Sequence, residues 1–300
     1  MNKKLVTGLS IVLGGVMLCS AAFVNASTSS GYEVYKSALK NTRTISSVTG
    51  TVGVSVQDNG TTLIKVDDAM KMNQENRAMS GVLSITAGDQ VKTLSVYHQD
   101  GQTILKNSDS DEYNVSASKP DKKFDDQRDL HEPADQVLAQ EVENLVDLLV
   151  GNNIQDSFVL NNNPDGTKQI SLQLAGDQIS PVQNAVTSLF YKVGTMKKHA
   201  SPNPIVPSAD AAIASLPELV SNIHVSNIDL KATVDAQDYI TGQTMEIAIS
   251  GEDASGNVHN LVTSIDLDLS EINQTTPDTV DLTGKSVKTM QPQGFKHPGH

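Results

Sequence analysis

The sequence predicts an α+β protein built on a large antiparallel β-sheet, and three observations lead there. Apolar residues alternate with polar ones in long runs, as in Val52, Val54 and Val56 and again in Ile228, Leu230, Ala232 and Val234. Short turns rich in Asn, Asp and Gly separate these runs, which suits meanders. Between the two groups of strands, apolar residues fall at helical spacing in two segments, giving amphipathic helices whose apolar sides need a surface to cover.

Taken in order, Met1–Ala26 has the layout of a secretory signal: Lys3 and Lys4, an apolar run from Leu5 to Phe23, then Val24-Asn25-Ala26. Cleavage is expected after Ala26. The one cysteine, Cys19, lies in that run and follows Leu18, where lipid attachment would need a small residue, so the mature chain is expected to carry neither disulfide nor acyl anchor. No membrane-spanning segment is expected once the signal is removed.

Tyr32, Tyr35 and Leu39 fall at helical spacing, with Ser29 or Ser30 placed to cap a helix that ends near Asn41. From Val48 the period becomes two. Val52, Val54 and Val56 lead to Asp58-Asn59-Gly60, a hairpin signal. Further strands follow through Ile64, Val66, Met70 and Met72, then Gly81, Leu83 and Ile85, then Leu94 and Val96, then Ile104, with turns at Ala87-Gly88-Asp89 and Gln99-Asp100-Gly101.

Lys119–Pro133 is polar and reads as a surface connection. Leu138, Val142, Leu145 and Leu149, widened by Val146, form the apolar stripe of a helix stopped by Gly151. A hairpin is expected from Phe158-Val159-Leu160 through Asn163–Gly166 to Ile170, Leu172 and Leu174. Pro181 opens a second helix with Val182, Val186, Leu189, Phe190 and Val193 on one side. The prolines at 202, 204 and 207 enforce an extended stretch before a short helix over Ser208–Val220. A three-stranded meander then fills Val225–Leu269, with Met245, Ile247 and Ile249 in its middle strand and Ile265, Leu267 and Leu269 in its last. The chain is expected to form one domain over residues 27–290 and to end in a disordered tail at 291–300.

Composition excludes several functions. The formal charge of −13, more negative once Lys3 and Lys4 leave, argues against nucleic acid and anionic lipid surfaces. With no Trp and 4% aromatics, there is little material for stacking sugars or bases. The seven histidines (98, 131, 199, 224, 259, 297 and 300) are scattered and none forms a close helical pair, so no metal site is expected. Asp109, Asp111 and Glu112, and Asp253 with Ser255 and Asn257, read as solvated turn residues because their spacing fails a calcium loop. No nucleophile elbow or phosphate loop is present, and we expect neither catalysis nor a cofactor.

The order of elements, together with Asp235–Asn257 and the closing Thr275–Lys285, resembles secreted proteins of Gram-positive bacteria whose architecture looks like that of the lipoprotein-carrier and LppX-type (LolA-like) superfamily. The resemblance implies a curved antiparallel sheet, a half-barrel, with helices packed on its concave face around an apolar cavity for acyl chains. It implies a secreted or cell-wall-associated, non-catalytic protein that binds a lipid-like ligand as carrier or sensor. The alternative is a secreted scaffold with a filled core and no small-molecule ligand. Under the carrier reading the cavity is lined by Leu138, Val142, Leu145, Leu149, Val186 and Leu189 from the helices and by Met70, Met72 and Met245 from the sheet, methionine being adaptable to irregular apolar ligands. No protein partner is indicated by the sequence.

Overall fold

The computed structural model describes residues 30–117, 154–179 and 216–290. Helix α1 spans Gly31–Thr42, with Ser30 as its cap: the Ser30 hydroxyl accepts from the Glu33 N–H at 3.3 Å. The strands are β1 (Ser47–Asp58), β2 (Thr61–Asn73), β3 (Ala78–Ala87), β4 (Gln90–Gln99), β5 (Gln102–Asn107) and β6 (Glu112–Ala117), followed by β7 (Phe158–Asn162), β8 (Lys168–Ala175), β9 (Ser221–Val234), β10 (Ile240–Glu252), β11 (Val258–Ser270) and β12 (Ser286–Thr289). All twelve belong to one sheet, in the order β12-β6-β5-β4-β3-β2-β1-β11-β10-β9-β8-β7. Every pairing is antiparallel except that of β12 with β6.

Tight hairpins set the register at both ends of the meander. Asn59 and Gly60 sit at φ 49° and 81° between β1 and β2, and Asp100 and Gly101 at 50° and 66° between β4 and β5. Two successive positive φ values are what a two-residue turn matched to strand twist requires, so the Asn-Gly and Asp-Gly pairs are local causes of the pairing. The join between the two meanders is long-range. β1 pairs with β11 from Thr49↔Ser270 to Asp58↔Leu261.

Because side chains alternate, the registers sort the sheet into two faces. One face is aliphatic almost from end to end. A single row across it reads Ile170, Ala232, Gln243, Leu267, Val52, Asp68, Leu83 and Leu94, passing from β8 to β4. The opposite face carries Thr51, Gly53, Lys65, Asp67, Ser84, Asp266 and Asp268 in the same region.

Helix α1 covers the β7–β10 wing of the aliphatic face, burying Tyr35, Ala38 and Leu39 against Ile170, Leu172, Leu174, Ile228, Leu230 and Ile249. On the polar face, the segment after β11 crosses the other wing as a strap. Thr275 N–H donates to Ser47 Oγ at 3.2 Å, Asp278 N–H to Ser80 Oγ at 2.9 Å, and Val280 N–H to Gln99 Oε1 at 2.8 Å. The strap then pairs as β12 alongside β6. Under this wing Ile104 is wholly buried, although it points away from the aliphatic face.

The expectation of helices packed on a concave sheet face is not met. Among the described residues the architecture is a large antiparallel sheet with one α-helix, placed at one wing. The physical reason lies in the dimensions: a 12-residue helix is about 18 Å long, and strands lie about 4.8 Å apart, so α1 crosses about four strands of twelve. The helices predicted around Leu138–Leu149 and Val182–Val193 lie outside the described residues. So does most of the one predicted over Ser208–Val220; its described end, from Leu216, is irregular and runs into β9. The sequence pattern also did not anticipate β6 or β12, nor the ordered strap. No helix among the described residues is long and apolar enough to cross a membrane.

Candidate functional site

The aliphatic face holds one group that packing does not explain. Asp68, in β2, is 2% exposed, and neither carboxyl oxygen has a hydrogen-bond partner. Its neighbours across the ladder are Val52 in β1 and Leu83 in β3, and along the strand Val66 and Met70 share its face. Burial without a donor pushes its pKa from the ordinary carboxylate range up to about 6. A buried polar group without a partner is the feature of a native interior that most needs a reason.

The other buried polar group in that row shows how such a position is normally satisfied. Gln243 in β10 accepts a hydrogen bond from Tyr35 Oη of α1 at 2.7 Å. Asp68 lies three strands away, about 14 Å, beyond the reach of α1. On its own side of the sheet, the aliphatic face offers, among the described residues, Lys92, His98 and Lys288, the last facing Glu112 at 3.9 Å. Lys92 is held by Asp109 at 2.6 Å, and His98 Nδ1 lies 3.2 Å from Thr103 Oγ1.

The methionines named from sequence are partly brought together. Met70 sits beside Asp68, flanked across the ladder by Gly50 and Gly81, which leave its side chain room on both sides; a β-carbon at Gly50 would come within 3.1 Å of Leu269 Cδ2. Met72 shares the face and opposes Val48 and Met79. Met245 is on the same face but in β10, where it packs with the α1 cluster rather than with Met70. Leu138, Val142, Leu145, Leu149, Val186 and Leu189 lie outside the described residues. Asp68 itself was missed in the sequence. Its signal was available: in Ile64, Val66, Asp68, Met70 and Met72 the alternation places one acid among four apolar residues, and the adjacent Asp67 made the pair read as a polar surface.

A second cluster joins two hairpin tips. His259 Nδ1 lies 2.7 Å from Asp58 Oδ2, at the end of β1, and its Nε2 faces Asp253 Oδ2 at 3.5 Å, close enough for attraction but not aligned as a hydrogen bond. The Asp58 hydrogen bond raises the His259 pKa, burial opposes it, and Asp253 adds to the rise. Asp253 accepts from the N–H groups of Ser255 and Asn257 and from Asn257 Nδ2. Those bonds, Asn257 foremost, hold its pKa down to about 2 and occupy it as a turn former. Among the described residues no hydroxyl is hydrogen-bonded to this imidazole, and the arrangement is a clamp in geometry.

On the polar face a trough of about 470 Å³ opens over Gly53 and Ala69, rimmed by Lys65, Asp67, Asp266 and Asp268. Lys65 pairs with Asp67 at 2.9 Å. Among the described residues, no group of three or more His, Cys, Asp or Glu side chains is arranged to hold a metal ion. The chemistry available is therefore that of one buried, unpartnered carboxyl group in an aliphatic surface. The chain matches no protein-family model, and no curated protein matches it.

Proposed function

We propose that this is a non-catalytic, secreted or envelope-associated protein whose aliphatic sheet face receives an acyl-chain or lipid-like ligand. The observation that carries the reading is the extent of that face. It continues through β11, β1, β2, β3 and β4, well past the wing covered by α1, and presents Val54, Val66, Met72, Leu83 and Ile265 only partly buried. Its side chains are aliphatic or methionine, which conform to a chain of methylenes, and each methylene buried would contribute about 0.8 kcal/mol. The likeness of the element order to LolA-like carriers belongs to the same reading, as does export: the mature form would begin at Ser27, which intact-mass measurement of the secreted protein tests.

A scaffold with a filled core is favoured by a different observation, the near-complete burial of Val52, Ile85, Leu94 and Leu105 on that face. Titration of a fluorescent long-chain alcohol probe, which carries no charged head, into the delipidated full chain separates the two. Saturable binding that weakens in Leu83→Trp supports the carrier; a folded native protein with no saturable binding would leave the scaffold.

A further inference from the structure

The geometry points to Asp68 as the head-group anchor of the aliphatic face: we propose that its carboxylate holds the ammonium of an amine-bearing amphiphile whose chain lies along the neighbouring aliphatic rows. The inference rests on the apolar-ligand reading above and adds the ligand's polar chemistry.

Three features select that chemistry. Asp68 is 2% exposed and both of its oxygens lack donors, so the site holds acceptor capacity that the described protein does not use. The groups around it, Val52, Val66, Met70 and Leu83, offer a ligand only dispersion and burial, so the ligand's body must be apolar. Among the described residues the lysines on this face are remote and committed: Lys92, two strands away, to Asp109 at 2.6 Å, Lys288 in β12 to Glu112 at 3.9 Å, and Lys168 in β8 to Asp238. The missing partner is therefore a donor and a positive charge brought from outside.

An alkylammonium meets these demands where other heads do not. It carries three donors and one compact charge, and in a low-dielectric surface a charge-assisted hydrogen bond is roughly twice as strong as a neutral one. A fatty acid's carboxylate would be repelled by ionised Asp68. An alcohol brings a single donor and no charge. Removing an unpartnered carboxylate from isolation is itself favourable, since a buried charge without a counterion is among the costliest features an interior can hold.

The test is calorimetric titration of the delipidated full chain with dodecylamine, dodecanol and dodecanoate, each below its aggregation concentration, in native protein and in Asp68→Asn. At about pH 8 the amine should bind roughly tenfold or more tighter than the alcohol, and in Asp68→Asn that preference should vanish. In native protein alone the amine's preference should also be lost as pH falls through about 6, where Asp68 takes a proton while the amine stays charged. That second measurement stands if the variant does not fold. Alcohol and amine binding alike, or an amine preference that survives in Asp68→Asn, overturns the anchor and leaves the apolar-ligand reading in place. Failure of all three probes to bind overturns both.

Discussion

Tyr35 Oη donates to Gln243 Oε1 at 2.7 Å, tying α1 to the first half of β10 across most of the chain. Both residues are buried, so the acceptor has no water to fall back on. Tyr35→Phe should cost about 1–3 kcal/mol, the usual penalty for a buried acceptor left unsatisfied. Urea unfolding reads it as a lower midpoint at unchanged slope.

The hairpin clamp makes a pH prediction. The folded-state pKa of His259 is raised, so its stabilising contribution is complete below about 6.5, its ordinary value, and is lost as pH rises through the higher folded value. Asp58 and Asp253 are the charged groups that face it. The difference in stability between native protein and His259→Gln should therefore shrink with rising pH across this window. A constant difference would show that the imidazole is held neutral.

Asp68 gives a dependence of different form. Its folded pKa is raised from 3.8 to about 6, so the native state binds the proton more tightly than the unfolded state does, and stability falls as pH rises between these values. The shift corresponds to roughly 2–3 kcal/mol. In ligand-free protein, Asp68→Asn should gain on the native chain between about pH 4 and about pH 7 and hold that gain above. Parallel denaturation series at several pH values check it.

The core of the α1 wing should be far less tolerant than its edge. Leu174 is wholly buried in β8, whereas Val159 in the edge strand β7 is 53% exposed. Leu174→Ala should cost about 2–5 kcal/mol and Val159→Ala no more than about 0.5. Thermal or urea midpoints of the pair decide the matter.

Gln99 holds the strap from both sides, its Oε1 accepting from Val280 N–H and its Nε2 donating to Val280 C=O at 3.0 Å. Gln99→Ala should lower hydrogen-exchange protection of Lys288 and Met290, whose N–H groups face β6, by about tenfold, the equivalent of about 1.4 kcal/mol, and leave Leu230 unaffected. Equal loss at both places would mean that the strap and the α1 wing open together.

The strands that were legible in the sequence are those whose burial is one-sided and whose turns carry Asn-Gly or Asp-Gly. β1 with Val52, Val54 and Val56, β9 with Ile228 to Val234, and α1 with its serine cap belong here, because local pattern and tertiary need coincide. β12 was not legible, since Ser286-Val287-Lys288-Thr289 is exposed throughout and is held by backbone pairing with β6. β6 has only Tyr113 and Val115 as large apolar residues in six positions, too few to set a period. The candidate site was half legible: alternation puts Asp68 on the face of Ile64, Val66, Met70 and Met72, but Asp67 beside it disguises the signal, and that Val52 and Leu83 flank it is a matter of register between strands.

The pairing of β1 with β11 and of β6 with β12 has a consequence for how the molecule comes into being. A ribosome that has made everything up to residue 257 has produced ten of the twelve strands, yet β1 and β6 each still present a bare edge of unpaired N–H and C=O groups. The sheet closes only with the last few dozen residues of the described chain. Such late closure between distant partners is slow, and until it happens the nascent protein offers the bare edges of β1, β6 and β10 as templates for β-addition, so completion of synthesis and completion of folding are nearly the same event.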